Sequence, residues 1–378
     1  MKTIGIDISP LNNKQKTGIG VYTFELIKAL LEINKQDQFV LFGISTFETR
    51  NYFKNIEYKK YSNVRLAIYT IPARAFRTTF LLWQTLNWPA IEKLVGPVDI
   101  FHNFNWYFPP QKQGKKVATV FDMTPVLYRL WHQKKTIQLD GVRLKRIKEN
   151  ADLVITISEH SKKDFLQFAP NKKAEVIYPG VAAQFSAKVN KNKLKEVLQK
   201  YDLEKDYFLS VATLEPRKNI RMLIEAFLES GLKNKLVLTG RKGWGSGEIF
   251  DLVKQYPDKI KITGFVEDGD LPYLYGGAIC MVYPSFYEGF GIPVLEAMTS
   301  GVPVICSNTS SLPEVGGDAP LYIDPYSKDS LKKALISVFN NEDLRKTMIA
   351  KGLKQAKKFS WQKSARKLNE FYQNLLLK

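Results

Sequence analysis

Short apolar runs rich in Val and Ile recur along the 378 residues, each followed by a longer stretch of helical period. That alternation admits few folds other than parallel β-sheets wrapped in helices, because strand and helix periods exchange places at every connection. In the first half, the runs near 2–8, 38–43, 64–70, 98–102, 117–121 and 153–157 read as strands. The clearest helix is predicted over 20–34, where Val21, Phe24, Leu26, Ile27, Leu30 and Leu31 form one stripe. Around 180–195 the pattern lapses into Gly180-Val181-Ala182-Ala183 and an Asn/Lys-rich stretch, then restarts near 207–212, 235–239, 259–263, 279–283 and 303–306. Such a length exceeds what one core usually supports. Two α/β domains are therefore expected, residues 1–185 and 186–358, with 359–378 as a C-terminal helix. Ser360 is placed to cap that helix, whose Ala365, Leu368, Phe371 and Leu375 would bury one side. Two Rossmann-like sheets facing across a cleft would gather ligand at the carboxyl ends of their strands.

Composition removes several function classes. At 44% hydrophobic and 12% aromatic the chain is that of a folded globular protein, with no low-complexity tract. No run of about 18 apolar residues occurs, and the stretch Phe76 to Trp88 is too short and too polar to span a bilayer. The sequence enters its first apolar run directly after Met-Lys-Thr, without a signal-peptide pattern, so residence in the cytoplasm is expected. Cys280 and Cys306 both lie in apolar runs, where buried thiols are expected rather than a disulfide. Two Cys and three His argue against a structural zinc site. The formal charge of +19 is biased forward, since residues 1–180 hold 27 Lys and Arg against 15 Asp and Glu. A nucleic acid, an anionic membrane surface or plain solvent could each account for that excess. With no recognised nucleic-acid module present, a nucleic-acid partner is not expected.

Two segments carry the chemistry. Tyr287-Glu288-Gly289-Phe290-Gly291-Ile292-Pro293-Val294-Leu295-Glu296 follows the apolar run Ile279 to Tyr283. Glycines 289 and 291 let the backbone approach a ligand, and Pro293 suits a first helical turn, whose unpaired amides would receive a diphosphate. Glu296, one turn in, is placed to bond a ribose, although either glutamate also reads as an exposed helix residue. The second segment, Thr213-Leu214-Glu215-Pro216-Arg217-Lys218-Asn219, follows the strand Phe208 to Ala212. There Arg217 offers a bidentate fork and Lys218 a point charge to a diphosphate, with an ordinary charged turn as the alternative.

Together with Ala297 to Ile305, Ser307 to Glu314 and Phe359-Ser360-Trp361, these segments resemble the retaining GT-B glycosyltransferases of family 4. Within that family the likeness runs to the bacterial mannosyltransferase-like enzymes of surface-polysaccharide assembly. It extends through the first half, in Thr17-Gly18-Ile19-Gly20-Val21-Tyr22, Phe121-Asp122-Met123-Thr124-Pro125 and Thr156-Ile157-Ser158-Glu159. The resemblance implies a nucleotide-diphosphate sugar as donor, GDP-mannose first and a UDP- or dTDP-sugar next, with no cofactor and no metal. It implies that Arg217 and Lys218 stabilise the leaving diphosphate, that Glu288 contacts the transferred sugar, and that Glu296 holds the ribose. Around them Thr239, Gly240, Phe265, Val266, Phe290, Gly291, Ile292 and Leu295 would form the donor site, with Gly264-Phe265-Val266 meeting the base. Gly18 and Gly20 match a glycine loop that approaches the donor phosphates.

One departure stands out: many relatives carry His-Asp where this chain has Phe121-Asp122. Asp122 remains to orient or help deprotonate an acceptor hydroxyl, or else merely caps the turn before Pro125. His102, at a strand end, could replace the missing contact or be a buried structural histidine; Tyr22 and Ser158 are further candidates for sugar contact. His132 and His160 read as surface residues. The family mechanism is front-face attack, in which the departing phosphate takes the acceptor proton and fixed cations stand in for a metal. Arg74, Phe76, Arg77, Phe80, Leu81, Leu82 and Trp83, with the cluster Lys134, Lys135, Arg143, Lys145, Arg146 and Lys148, suit an anionic bilayer. They raise the expectation of docking on the inner face of the cytoplasmic membrane to reach a glycan or lipid-linked glycan acceptor. A protein that binds sugar nucleotide without transferring it, an epimerase or phosphorylase of the same fold, and a basic nucleic-acid binder are the alternatives. GT-B architecture also allows the C-terminal helix to cross back to the first domain.

Overall fold

The computed structural model describes residues 1–12, 18–49, 52–53, 56–104 and 107–377, leaving aside the side chain of Arg77. Thr17 of the first glycine motif lies outside the described residues. The chain forms two compact units, one of residues 1–180 with 360–378 and one of residues 181–359.

The first unit is built on seven strands: β1 (Thr3–Asp7), β2 (Gln38–Ser45), β3 (Val64–Thr70), β4 (Ile100–Asn103), β5 (Lys115–Val120), β6 (Leu153–Thr156) and β7 (Ala174–Val176). They lie in the order β3-β2-β1-β4-β5-β6-β7, every neighbouring pair parallel. Register places Ile4 beside Phe39 on one side and Ile100 on the other, all three fully or nearly fully buried. Central strands buried on both faces explain why these runs read as continuous apolar segments. β7 was not foreseen, because a three-residue edge strand shows no period.

Helix Gly18–Ile33 turns Tyr22, Thr23, Leu26, Ile27, Leu30 and Leu31 inward, while Val21 and Phe24 stay half-buried. Against it lies the final helix, Trp361–Leu376, so the C-terminal helix belongs to the first unit. Ser360 caps it by accepting from the Lys363 amide at 3.2 Å. Its buried face consists of Trp361, Ser364, Ala365, Leu368, Tyr372 and Leu375; Phe371, expected there, is half-buried, and Tyr372 takes its place. Polar ties hold the helix down: Asn34 Nδ2 donates to Asn369 Oδ1 at 2.7 Å and Gln373 Nε2 to Asp37 Oδ2 at 2.9 Å. Where the chain leaves and re-enters this unit, a Cβ on Gly180 would sit 2.4 Å from the Trp361 nitrogen. Only glycine permits that crossing.

The second unit has six parallel strands, β8 (Tyr207–Val211), β9 (Leu236–Thr239), β10 (Ile260–Gly264), β11 (Ala278–Tyr283), β12 (Val304–Ser307) and β13 (Leu321–Ile323). Their order is β10-β9-β8-β11-β12-β13, so the winding reverses between β8 and β11. Open α/β sheets bind ligands beyond the carboxyl ends of the strands at that reversal. Phe208, Leu223, Phe227, Leu236, Val282 and Leu335 form part of its core. Cys280 and Cys306 are free and buried.

Candidate active site

Beyond the carboxyl end of β8 the chain makes the 3-10 turn Pro216–Lys218, closed by Asn219 in the left-handed region at φ 57°. Asparagine tolerates that conformation because its short amide bonds locally. Here the Asn219 amide donates to the carbonyls of Pro284 at 3.2 Å and Pro325 at 2.8 Å, and the Phe286 N–H donates to the Arg217 carbonyl at 3.0 Å. The turn is thereby stitched to the segment that follows β11. Gly291, at φ 106°, begins helix Ile292–Thr299, and a Cβ there would come within 2.7 Å of Leu312 Cδ2. Glycine is required on both counts, and Pro293 then sits where a helix needs no donor.

The sequence separates Arg217 and Lys218 from Glu288 by some seventy residues, and the reversal brings them into one cluster. Lys218 Nζ donates to Glu288 Oε1 at 2.6 Å and meets the Tyr283 hydroxyl at 2.9 Å. Arg217 Nη1 donates to Glu288 Oε2 at 3.0 Å and to the Tyr287 carbonyl at 2.8 Å. Its remaining edge, Nε and Nη2, holds Glu215 Oε1 at 3.2 and 2.8 Å. Lys218 is 8% and Glu288 6% exposed, so these charges are poorly screened. Burial by itself would raise the Glu288 carboxyl, but Lys218 and Arg217 overcome it and hold the group down to about 2. Burial, reinforced by the Arg217 charge, lowers Lys218 below the usual lysine range against the pull of Glu288. Two cations are thus fixed in place by two carboxylates, with Ser310 and Ser311 bonding the Glu288 backbone from the far side at 2.9 Å each. Glu215, Ser310 and Ser311 went unassigned in the sequence reading; a carboxylate two residues before Arg217 was the available signal.

The other residues expected at a donor site fall around the same strand ends. Thr239 closes β9, with its hydroxyl 3.0 Å from that of Thr263. Gly240 follows at φ 144°, and a Cβ there would lie 1.9 Å from the Ala212 carbonyl oxygen. The Arg241 guanidinium lies 5.1 Å over the Phe265 ring, and Val266 is buried. Phe290 and Leu295 have buried side chains, so only their backbones can meet a ligand, whereas Ile292 is half-buried. Glu296 accepts from the Tyr275 hydroxyl at 3.1 Å, and burial pushes its carboxyl up to about 8 against that bond.

In the first unit Gly18 and Gly20 form the first turn of helix Gly18–Ile33 rather than a loop. The three candidates for sugar contact are engaged structurally. His102 is fully buried, with Nδ1 2.5 Å from the Tyr372 hydroxyl and Nε2 2.8 Å from Thr119 Oγ1, and burial lowers it to about 3. It is a neutral structural histidine, the second of the two readings given above. Tyr22 is buried and donates to the Ile177 carbonyl at 3.0 Å, while Ser158 caps helix Glu159–Phe168. Phe121 and Asp122 do line a cavity of about 760 Å³ at the strand ends of this unit. His132, read as a surface residue, lines it too.

The cations assigned to a membrane surface divide in two. Arg143 is buried and paired with Asp140 at 3.2 Å; Arg146 donates to the carbonyls of Gln84 at 2.6 Å and Phe108 at 3.2 Å. Lys134, Lys135, Lys145 and Lys148 are exposed. Phe80 and Trp83 point into the core, whereas Leu82, Leu86 and Trp88 are 49%, 68% and 71% exposed. The side chain of Arg77 lies outside the described residues.

Residues 190–355 match the family described as Glycosyl transferases group 1, and residues 16–185 that described as Glycosyltransferase Family 4. O-antigen chain mannosyltransferase B of Escherichia coli is 34% identical over 364 residues, covering 92% of this chain and 93% of that protein. O-antigen chain mannosyltransferase RfbU of Salmonella typhimurium is 28% identical, covering 87% and 91%. Among solved structures, sucrose-phosphate synthase from Thermosynechococcus elongatus superposes with a TM-score of 0.76 at 20% identity, each chain fully covered. HepE from Anabaena, solved with UDP and glucose, gives 0.74 at 15% identity over 99% of this chain and all of its own. Sheets of this order in both units, two family models that between them match most of each unit, and a relative above 30% identity that covers nine-tenths of the chain agree: this chain belongs to the group 1/family 4 glycosyltransferases and has the GT-B fold.

Proposed function

We propose that this glycosyltransferase moves a hexose, mannose first, from a nucleotide-diphosphate sugar to a glycan or lipid-linked glycan during surface-polysaccharide assembly, with retention of configuration and without a metal. The observation that carries this reading is the Arg217–Lys218–Glu288 cluster at the sheet reversal, beside the helix that starts at Gly291. A diphosphate entering there meets two cations already held in place, and fixed charge that needs no reorganisation is the largest electrostatic aid to bond breaking. Mannose is favoured because two full-length relatives are named as O-antigen chain mannosyltransferases, with GDP-mannose the first donor and a UDP- or dTDP-sugar next.

In this reading the bond from the anomeric carbon to the diphosphate breaks while the acceptor oxygen bonds the same face, and the acceptor proton passes to the leaving phosphate oxygen. Glu288 contacts the transferred sugar, Glu296 the ribose, and Gly264 to Val266 the base, while Asp122 orients the acceptor hydroxyl. Thermal-shift titration with GDP-mannose, UDP-glucose and dTDP-glucose tests the donor: the preferred one raises Tm by mass action, and no shift with any of them speaks against the reading. Transfer in excess EDTA should continue at an unchanged rate. Turnover lost on chelation and restored by Mg²⁺ or Mn²⁺ would count against the metal-free mechanism.

Exposed Leu82, Leu86 and Trp88, together with exposed lysines at 134, 135, 145 and 148, support peripheral docking on an anionic bilayer, the inner face of the cytoplasmic membrane in this reading. No helix among the described residues is long and apolar enough to cross a membrane. The protein should float with liposomes containing phosphatidylglycerol and stay behind with neutral ones. Equal flotation with both removes the membrane from the proposal.

A further inference from the structure

The first-unit cavity is lined by residues at or just beyond the carboxyl ends of β1, β2, β4 and β5, including Ser9, Thr46, Phe104 and Asp122. Aromatic rings of Phe76, Phe104 and Phe121 share its walls with hydrogen-bonding groups of Asn12, Asp122 and His132. A pyranose ring suits that mixture, since its C–H faces pack on aromatic surface while its hydroxyls need polar partners.

Within the wall runs a hydrogen-bonded chain whose direction follows from counting protons. Asp122 Oδ1 accepts from the Thr124 N–H at 2.9 Å and from Thr124 Oγ1 at 2.6 Å. The threonine hydroxyl owns one proton and spends it on Asp122. His132 Nε2, 2.8 Å from the same Oγ1, must therefore be the donor. Among the described residues, no hydrogen bond engages Asp122 Oδ2 or His132 Nδ1. Thr124 is buried, so its rotor is enclosed, and the imidazole fixes which way its proton points. Each bond in such a chain polarises the next.

We infer that His132 is a positioning residue for sugar transfer: acting through Thr124, it ties down Asp122 Oδ1 so that Oδ2 faces a pyranose hydroxyl of the acceptor bound in this cavity. The inference rests on the transferase reading and deepens it. It also puts an imidazole on the cavity wall that Phe121 shares. His132 touches no reacting atom; its effect passes through the carboxylate.

Initial rates of His132→Ala, His132→Gln, Thr124→Val and the Ala/Val double variant, measured against acceptor and donor separately, test this. His132→Ala should lower kcat/KM for the acceptor about 10- to 100-fold, the worth of one hydrogen bond that feeds a charged group, and leave GDP or UDP affinity within twofold. His132→Gln should regain most of the loss, because a side-chain amide can donate to the same Oγ1. The double variant should be no worse than the poorer single one, as members of one chain are not additive. Wild-type acceptor kinetics in His132→Ala, a glutamine variant as impaired as alanine, or a loss confined to the donor would each overturn the inference. Saturation-transfer NMR with methyl α-mannopyranoside reads the cavity without turnover. There the wild type should show ligand signal that Asp122→Asn and His132→Ala weaken, and equal signal in all three overturns the assignment. Absence of transfer by the wild type from every sugar nucleotide is a separate result, and it tells against the transferase reading.

Discussion

Replacing Arg217 and Lys218 together, as Arg217→Gln/Lys218→Met, is expected to weaken binding of the sugar nucleotide and to cut kcat/KM by about 10² to 10⁴. In the proposed site each substitution removes a charge-assisted hydrogen bond to the diphosphate, worth about 1.5–3 kcal/mol, and two of them compound to that range. Part of the loss should fall on kcat if, as proposed, the cations act on charge that grows as the diphosphate leaves. Arg217→Lys separates geometry from charge: it keeps the cation but loses the fork that reaches Glu215, Glu288 and the Tyr287 carbonyl together. An intermediate activity is expected for it. Calorimetric titration with nucleoside diphosphate, alongside steady-state rates, reads both quantities; a double variant that binds and turns over like the wild type removes the basis of the donor-site assignment.

Glu288→Gln should be the most damaging single change to stability. It leaves Lys218 and Arg217 facing a neutral amide in a site where all three partners are buried or nearly so. Removing one member of a buried ion pair typically costs about 3–5 kcal/mol, because the surviving charge is left without compensation. Urea unfolding of the second unit's transition should register that loss. The pH dependence follows from the same cluster. Unfolded, the Glu288 carboxyl returns to its ordinary value of 4.5, whereas in the folded protein it is held at about 2. A carboxyl depressed on folding contributes stability that is fully present above the unfolded value and is lost as pH falls through the folded one. The wild type should therefore shed this contribution between about pH 4.5 and 2, and Glu288→Gln should lack that limb of the curve. Identical acid profiles for the two proteins would show that the cluster does not set it.

The two changes also report differently on function. Neutralising the cations leaves Glu215 and Glu288 as unpaired carboxylates, so some destabilisation accompanies the catalytic loss. In Glu288→Gln the cations remain and a diphosphate can neutralise them. Ligand should accordingly restore more stability to Glu288→Gln than to the double variant.

Much of the architecture was legible because the signals were local. The central strands show in the sequence as apolar runs, since a strand covered on both faces must be apolar throughout. The turn at Gly291 was legible for the same reason: Gly291 is required by its own φ of 106° and Pro293 by its place in a first helical turn. β7 and β13, three residues each, were missed because pairing at a sheet edge, not composition, makes them strands. Arg143 and Arg146 read as surface cations, yet the fold turns them inward onto Asp140 and onto backbone carbonyls. Nothing in a basic run of residues tells which of its members will find such partners.

The histidines mark the boundary most plainly. His102 and His132 each follow an aromatic residue in the sequence, and nothing in that local pattern tells which of them will be sealed in the core and which will line a cavity. His102 lies on a central strand, where both ring nitrogens are taken by Tyr372 and Thr119, one of them 270 residues away. His132 reaches a cavity wall and the hydroxyl that holds Asp122. Sequence by itself determined the family, the two parallel-sheet units and the turns that carry Arg217, Lys218 and Glu288, because period, glycine and proline act on nearest neighbours along the chain. Tertiary structure alone decided which charges pair, which histidine meets a cavity and how far Glu288 is held from its ordinary acidity, because burial and Coulomb interaction depend on distance through space.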